Sequence, residues 1–121
     1  MSSDPRHQLG RLGEQRAAEH LERLGYEVVA RNHRTRFGEI DLIACDAQTL
    51  VVVEVKTRRG NGRPWDALGE TKQRQVRRMG LAYITEVLDR PFRENLRFDA
   101  IGVTFDTAGR MVALDHLEGA F

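Results

Sequence analysis

Two stretches with the composition of β-strands, residues 39–45 and 50–57, each hold acids where a core strand should hold none. Both are rich in Ile, Leu and Val, which suit a pleated, half-buried surface. A short polar link, Asp46-Ala47-Gln48-Thr49, joins them. Side chains alternate faces along a strand, so Glu39, Asp41 and Ile43 are expected on one face of the first run. Leu50, Val52, Glu54 and Lys56 are expected on one face of the second. A hairpin turn of that length sets Asp41 opposite Glu54 and Glu39 opposite Lys56, and a slip of one residue sends the acids to opposite faces. The register gathers three acids and a lysine on an otherwise apolar hairpin. Acids this close repel one another and lose solvation unless a cation joins them, so the pattern predicts a divalent-metal site.

The flanking segments read as a small α/β protein. Asp4-Pro5 looks like a helix start, and Leu9, Leu12, Ala17, Leu21 and Leu24 recur at helical spacing up to a stop at Gly25. Gly13 and Ala17 leave that face shallow enough to lie close to a sheet. Glu14 borders the face; it is either an exposed helix acid or an acid aimed at the strand site. Residues 26–30 predict a strand, and the following 31–36 carry three arginines that either cradle phosphates or solvate an edge. After the hairpin, residues 58–64 form a loop with two glycines and a proline. A second helix is expected over 70–88, with a stripe of Val76, Met79, Gly80, Tyr83, Ile84, Val87 and Leu88 and a stop at Pro91. Two further strands, 96–105 and 111–117, flank a turn at 106–109. Asp99 lies within the first and is expected to bond a loop from a strand end.

Composition narrows the function classes. The chain has 121 residues, 40% hydrophobic and 31% charged, which suits one domain spanning 1–121. Cys45 is the only cysteine, so neither an internal disulfide nor a cysteine-built zinc site is available. His7, His20, His33 and His116 lack a ligand spacing and are read as surface or capping residues. No apolar run suits a membrane span or a secretory signal, so a soluble, cytoplasmic protein is expected. Net charge is only +1, but between residues 58 and 78 seven Lys or Arg stand against two acids. That surplus is either a solvated face or a nucleic-acid footprint.

An Asp with a Glu-x-Lys on the neighbouring strand is an arrangement suited to metal-assisted phosphodiester cleavage. Hard Mg²⁺ or Mn²⁺ takes carboxylate and carbonyl oxygens and keeps several waters. The metal polarises the phosphate and activates a bound water, and a lysine on the same face meets the charge building on the phosphate. A lone Glu-x-Lys is a weak signal, because cross-strand ion pairs produce it often.

The runs Gly-Glu-Ile-Asp-Leu-Ile-Ala, Val-Val-Val-Glu-Val-Lys-Thr-Arg, Gly-Glu-Gln-Arg-Ala-Ala and Arg-Phe-Asp-Ala-Ile together resemble the YraN-type family. Those small bacterial proteins are related to archaeal Holliday junction resolvases, within the PD-(D/E)XK restriction-endonuclease-like superfamily. The resemblance covers nearly the whole chain. It implies a restriction-endonuclease-like αβββαββ core, a mixed central sheet flanked by helices. It also implies Asp41, Glu54 and the Val55 backbone carbonyl as metal ligands, Lys56 as the catalytic lysine, and Glu14 as the first-helix acid, acting on the metal through water. Ile40 stands where the superfamily's proline would be, and the role of Glu39 stays open. The expected partner is DNA, branched or otherwise structured, contacted by Arg34, Arg36, Arg58, Arg59, Arg63, Lys72, Arg74, Arg77 and Arg78. Resolvase analogy points to a homodimer, since a four-way junction needs two symmetric cuts. The alternative is a nucleic-acid-binding module with the fold but without cleavage.

Overall fold

The computed structural model describes residues 4–60 and 69–121. Its first helix, α1 (Pro5–Arg23), starts where the Asp4 carboxylate accepts the Arg6 N–H at 3.0 Å. It ends at Leu24, and Gly25 follows with φ 97°, a left-handed value that glycine adopts at little cost. A Cβ on Gly13 would meet Thr57 Oγ1 at 2.1 Å, so the shallow face does bring α1 hard against the sheet.

Three strands follow: β1 (Glu27–Thr35), β2 (Gly38–Cys45) and β3 (Thr49–Arg59). β1 runs through the arginine-bearing segment expected to follow it, so Arg31 and Arg34 are strand residues. The link to β3 is closed by Asp46, whose carboxylate accepts the N–H groups of Gln48 and Thr49 at 2.9 and 2.8 Å. The hairpin register is the expected one: Leu42 pairs with Val53 and Cys45 with Leu50. Continued, it puts Asp41 opposite Glu54.

Helix α2 (Glu70–Glu86) stops short of Leu88. Val87 turns extended, the Arg90 guanidinium donates to the Ile84 carbonyl, and Leu88 is 91% exposed, so the last member of the expected stripe packs on nothing. Strand β4 (Asn95–Phe105) then lies parallel to β3 from Thr49↔Asn95 to Arg59↔Phe105, and β5 (Met111–Leu117) returns antiparallel. The order β1-β2-β3-β4-β5 makes one mixed five-stranded sheet. This αβββαββ arrangement is consistent with a restriction-endonuclease-like core.

Each face of the sheet carries one helix. Ala17, Ala18 and Leu21 of α1 pack with Leu42, Val51, Val53, Ile101, Val103 and Phe105. Val76, Met79 and Tyr83 of α2 pack with Ile40, Ile43, Leu50 and Val52. A Cβ on Gly80 would strike the Phe98 ring at 2.5 Å, so α2 also lies close. No helix among the described residues is long and apolar enough to cross a membrane.

Candidate active site

Strict alternation breaks at Asp41. Ile40 joins the α2-side cluster and Leu42 the α1-side cluster, although they are two residues apart. Across from Asp41 on β1, between the pairs Arg31↔Leu42 and His33↔Ile40, Asn32 takes φ 50°. The Asp41 carboxylate turns into the gap between strands and accepts the Val55 backbone N–H at 2.7 Å. The expectation that Glu39, Asp41 and Ile43 share a face is therefore corrected. Glu39 is exposed beside a recess with Glu14 and Asn32, while Ile43 is buried on the α2 side.

Asp41 and Glu54 come within hydrogen-bonding reach of each other. Burial pushes the Asp41 carboxyl up to about 8, the Glu54 charge adds to this, the Val55 N–H opposes it, and Glu14 and the hydrogen bond with Glu54 raise it further. At neutral pH Asp41 therefore tends to keep its proton beside Glu54, since two adjacent carboxylates in a desolvated site do not both ionise readily. Glu54, only 6% exposed, also receives the Lys72 ammonium of α2 at 3.1 Å from its Oε1.

Glu14 leans over the site from α1. The Asn32 side-chain amide donates to Glu14 Oε1 at 3.0 Å. Two recesses share Glu14, Arg6 and Gly10; one includes Glu39 and Asn32, the other Val55 and Lys56. Glu14 and Lys56 are thus brought to one place, and Glu14 contributes its charge to Asp41 across space. Among the described residues no three His, Cys, Asp or Glu gather closely enough to hold a metal ion. The expected patch of three acids is therefore a close pair, with Glu14 and Glu39 at its margin.

The cationic residues divide. Lys72 is committed to Glu54. Arg74, Arg77 and Arg78 stand exposed on α2, and Arg74 and Arg78 line a recess with Phe37. The Arg36 guanidinium lies over the Phe37 ring, 5.0 Å from its centroid. Arg34 and Arg59 are exposed on strands. Arg58 is half-buried, and its Nε is buried without a hydrogen-bond partner. Arg63 lies outside the described residues.

A second polar cluster went unread in the sequence. Asp99 is fully buried within β4, not at a strand end. It accepts a two-pronged pair of bonds from Arg97 at 2.8 and 2.9 Å, a bond to His116 Nε2 at 2.8 Å, and the Gly119 N–H at 3.1 Å. Burial alone would raise its carboxyl, but these bonds together hold it below the usual carboxylate range. His116 Nδ1 meets His20 Nε2 at 3.0 Å, and Arg97 also reaches the Tyr26 hydroxyl at 2.8 Å. So His20 and His116 are joined to a buried acid, and surface or capping roles do not describe them. The pair is 96 residues apart; the one local cue was Arg97 two positions before Asp99, on the same strand face.

Known proteins share this sequence along most of its length. The sequence model of "Uncharacterised protein family UPF0102" matches residues 13–103. A UPF0102 protein of Nocardia farcinica is 47% identical over 115 residues, covering 93% of this chain and 88% of the relative. One from Syntrophus aciditrophicus is 44% identical over 108 residues, with 87% and 83% covered. One from Pelotomaculum thermopropionicum is 39% identical over 121 residues, spanning 98% of this chain and 99% of its own. The matched residues run from α1 to β4 and include Glu14, Asp41, Glu54, Lys56 and Lys72, and on that footing the chain belongs to the UPF0102 family, as the YraN-type resemblance implied.

Proposed function

We propose that this protein is a metal-dependent endonuclease-like hydrolase of phosphodiester bonds in DNA, with branched or otherwise structured DNA as its substrate. One observation carries the reading: a desolvated carboxylate pair, Asp41 and Glu54, on neighbouring strands, with Lys56 two residues beyond Glu54. A purely structural role gives little reason to place two acids together in an apolar sheet, where their mutual repulsion costs stability.

The donor chemistry fits a hard divalent cation. Asp41, Glu54 and the Val55 carbonyl would hold Mg²⁺ or Mn²⁺, with water completing the shell and Glu14 acting through one such water. When bound, the ion supplies Lewis-acid polarisation of the phosphate and a more acidic water. The chain supplies the rest. The Val55 N–H keeps the Asp41 carboxylate oriented, and Asp41 would have to lose its proton to serve as a ligand. Lys56, which lines a recess with Glu14, would offset charge developing on the phosphate. Lys72, which pairs with Glu54 here, would be free to meet the substrate if Glu54 served as a metal ligand.

The Lys72–Glu54 ion pair also favours a second reading, a nucleic-acid-binding module, because it already compensates the buried Glu54. Cleavage assays on linear, flapped and four-way DNA with Mg²⁺ or Mn²⁺ against chelator separate the two. Chelator-sensitive cutting supports the hydrolase, while binding without cutting under any condition supports the module.

A further inference from the structure

We propose that the recess between the β1–β2 turn and α2 seats an unpaired nucleotide, its base stacked on the Arg36–Phe37 pair and its phosphates on Arg74 and Arg78. The inference deepens the nucleic-acid reading above and rests on it.

The platform is built in advance. Phe37 sits at the tip of the turn, and both its backbone groups are held. Its N–H donates to Thr35 Oγ1 at 3.1 Å, and its carbonyl accepts from Gln75 Nε2 at 2.9 Å. Its ring is half-buried against the α2-side core, and Arg36 lies over it. Gly38 explains how the turn and helix close so tightly, since a Cβ there would meet Gln75 Nε2 at 2.9 Å and Met79 Sδ at 3.0 Å. Its φ of 134° independently favours glycine. The two recesses along this seam meet at Phe37 and Arg78, and Arg74 and Arg36 border them.

The chemistry selects the ligand. Arg36, Arg74 and Arg78 make no ion pair with any acid among the described residues, so three unpaired guanidinium groups, against the single acid Glu86 at the far end of the seam, surround an aromatic and guanidinium stack. A phosphate alone would use the arginines and leave the stack idle. A nucleotide uses both, because bases stack on aromatic rings and arginine planes while phosphates take the guanidinium donors. Inside a duplex the base faces are covered by neighbouring pairs, so the stack selects an unpaired base. Lys72, Gln75 and Arg78 follow one another at three-residue spacing on α2. Lys72, which touches Glu54, therefore stands on the same side of α2 as the seam, about 9 Å along the helix from Arg78. A strand with its unpaired base on Arg36 and Phe37 lies in line with the carboxylates.

The test is fluorescence anisotropy in chelator, with one labelled oligonucleotide as a single strand, as a blunt duplex and as a duplex with an unpaired tail. The parent is expected to bind the single strand and the tailed duplex more tightly than the blunt duplex. Arg36→Ala removes an exposed side chain, and Phe37→Leu keeps apolar packing while removing the aromatic face. With melting curves like the parent's, each should lose about tenfold for unpaired substrates and little for blunt duplex. Equal parent affinity for all three forms, or unchanged single-strand affinity in both variants, overturns the inference. Because no cleavage is needed, a parent that prefers single strands yet never cuts overturns only the hydrolase reading. A parent that cuts but shows no such preference overturns only this one.

Discussion

The Asp41 carboxylate accepts the Val55 N–H at 2.7 Å, and the backbone pairing of β2 with β3 extends no further than Leu42↔Val53 beside it. A side chain thus replaces a rung of the ladder. The substitution satisfies a backbone donor that would otherwise be orphaned, and it aims the carboxylate at Glu54 instead of at solvent. A sheet that gives up regular pairing at one residue, and sets two acids in hydrogen-bonding reach there, has gathered mutually repelling groups where chemistry is expected.

The metal-free protein should lose stability from Asp41 as pH rises. Its folded value, about 8, lies above the ordinary 3.8. The folded state therefore holds the proton more tightly, and this contribution is full below about pH 4 and lost through about pH 8. Asp41→Asn cannot titrate and can still accept from the Val55 N–H. Its melting temperature relative to the parent should climb by several degrees between about pH 5 and pH 9. A difference that stays flat across that range would show that Asp41 does not titrate as described.

Lys56→Ala should abolish cleavage while leaving Mn²⁺ binding largely intact, because an ammonium is no metal ligand. Asp41→Asn should abolish both, having removed one ligand charge. Calorimetric Mn²⁺ titration distinguishes the two inactive variants, provided Lys56→Ala melts like the parent and Asp41→Asn melts no lower than the parent. Equally weakened Mn²⁺ binding would remove Lys56 from its proposed role.

Lys72 competes with a cation for Glu54. Lys72→Met should therefore tighten Mn²⁺ binding by roughly fivefold, equivalent to about 1 kcal/mol for a partly exposed ion pair. Calorimetry measures the affinity directly. Weaker Mn²⁺ binding in the variant would mean that Lys72 organises the site and does not occupy it.

Arg74, Arg77 and Arg78 are exposed along α2. Changing all three to Ala should weaken DNA binding and flatten its salt dependence by about one unit of slope for each phosphate no longer neutralised. Binding isotherms over a salt series measure this. An unaltered slope would return the helix face to a solvation role.

Asp99→Asn should be costly, because it leaves Arg97 and His116 without their shared anion in a closed space. Removing a buried charged partner typically costs about 3 kcal/mol or more. Urea unfolding at neutral pH should report it, with DNA affinity unchanged if the cluster serves only the fold. Native-like stability would contradict the burial of that carboxylate.

The sequence by itself determined most of the backbone. Asp4-Pro5 and Gly25 bounded α1, Asp46 closed the central hairpin, and the Ile, Leu and Val content of β2 and β3 set a register in which Asp41 faces Glu54. These are local signals: caps, turns and period-two patterns act over a few residues and are readable one segment at a time. Tertiary structure decided what the local pattern could not encode. The break in alternation at Asp41 depends on Asn32 across the sheet and on a side chain competing with the backbone for Val55. Lys72 found Glu54 through the packing of α2, though its spacing matched the basic run of its own helix. His20 and His116 met only because α1 and β5 converge on Asp99. In each case the energy comes from groups distant in the chain that share one desolvated space, and a one-dimensional pattern carries no record of which distant group that is.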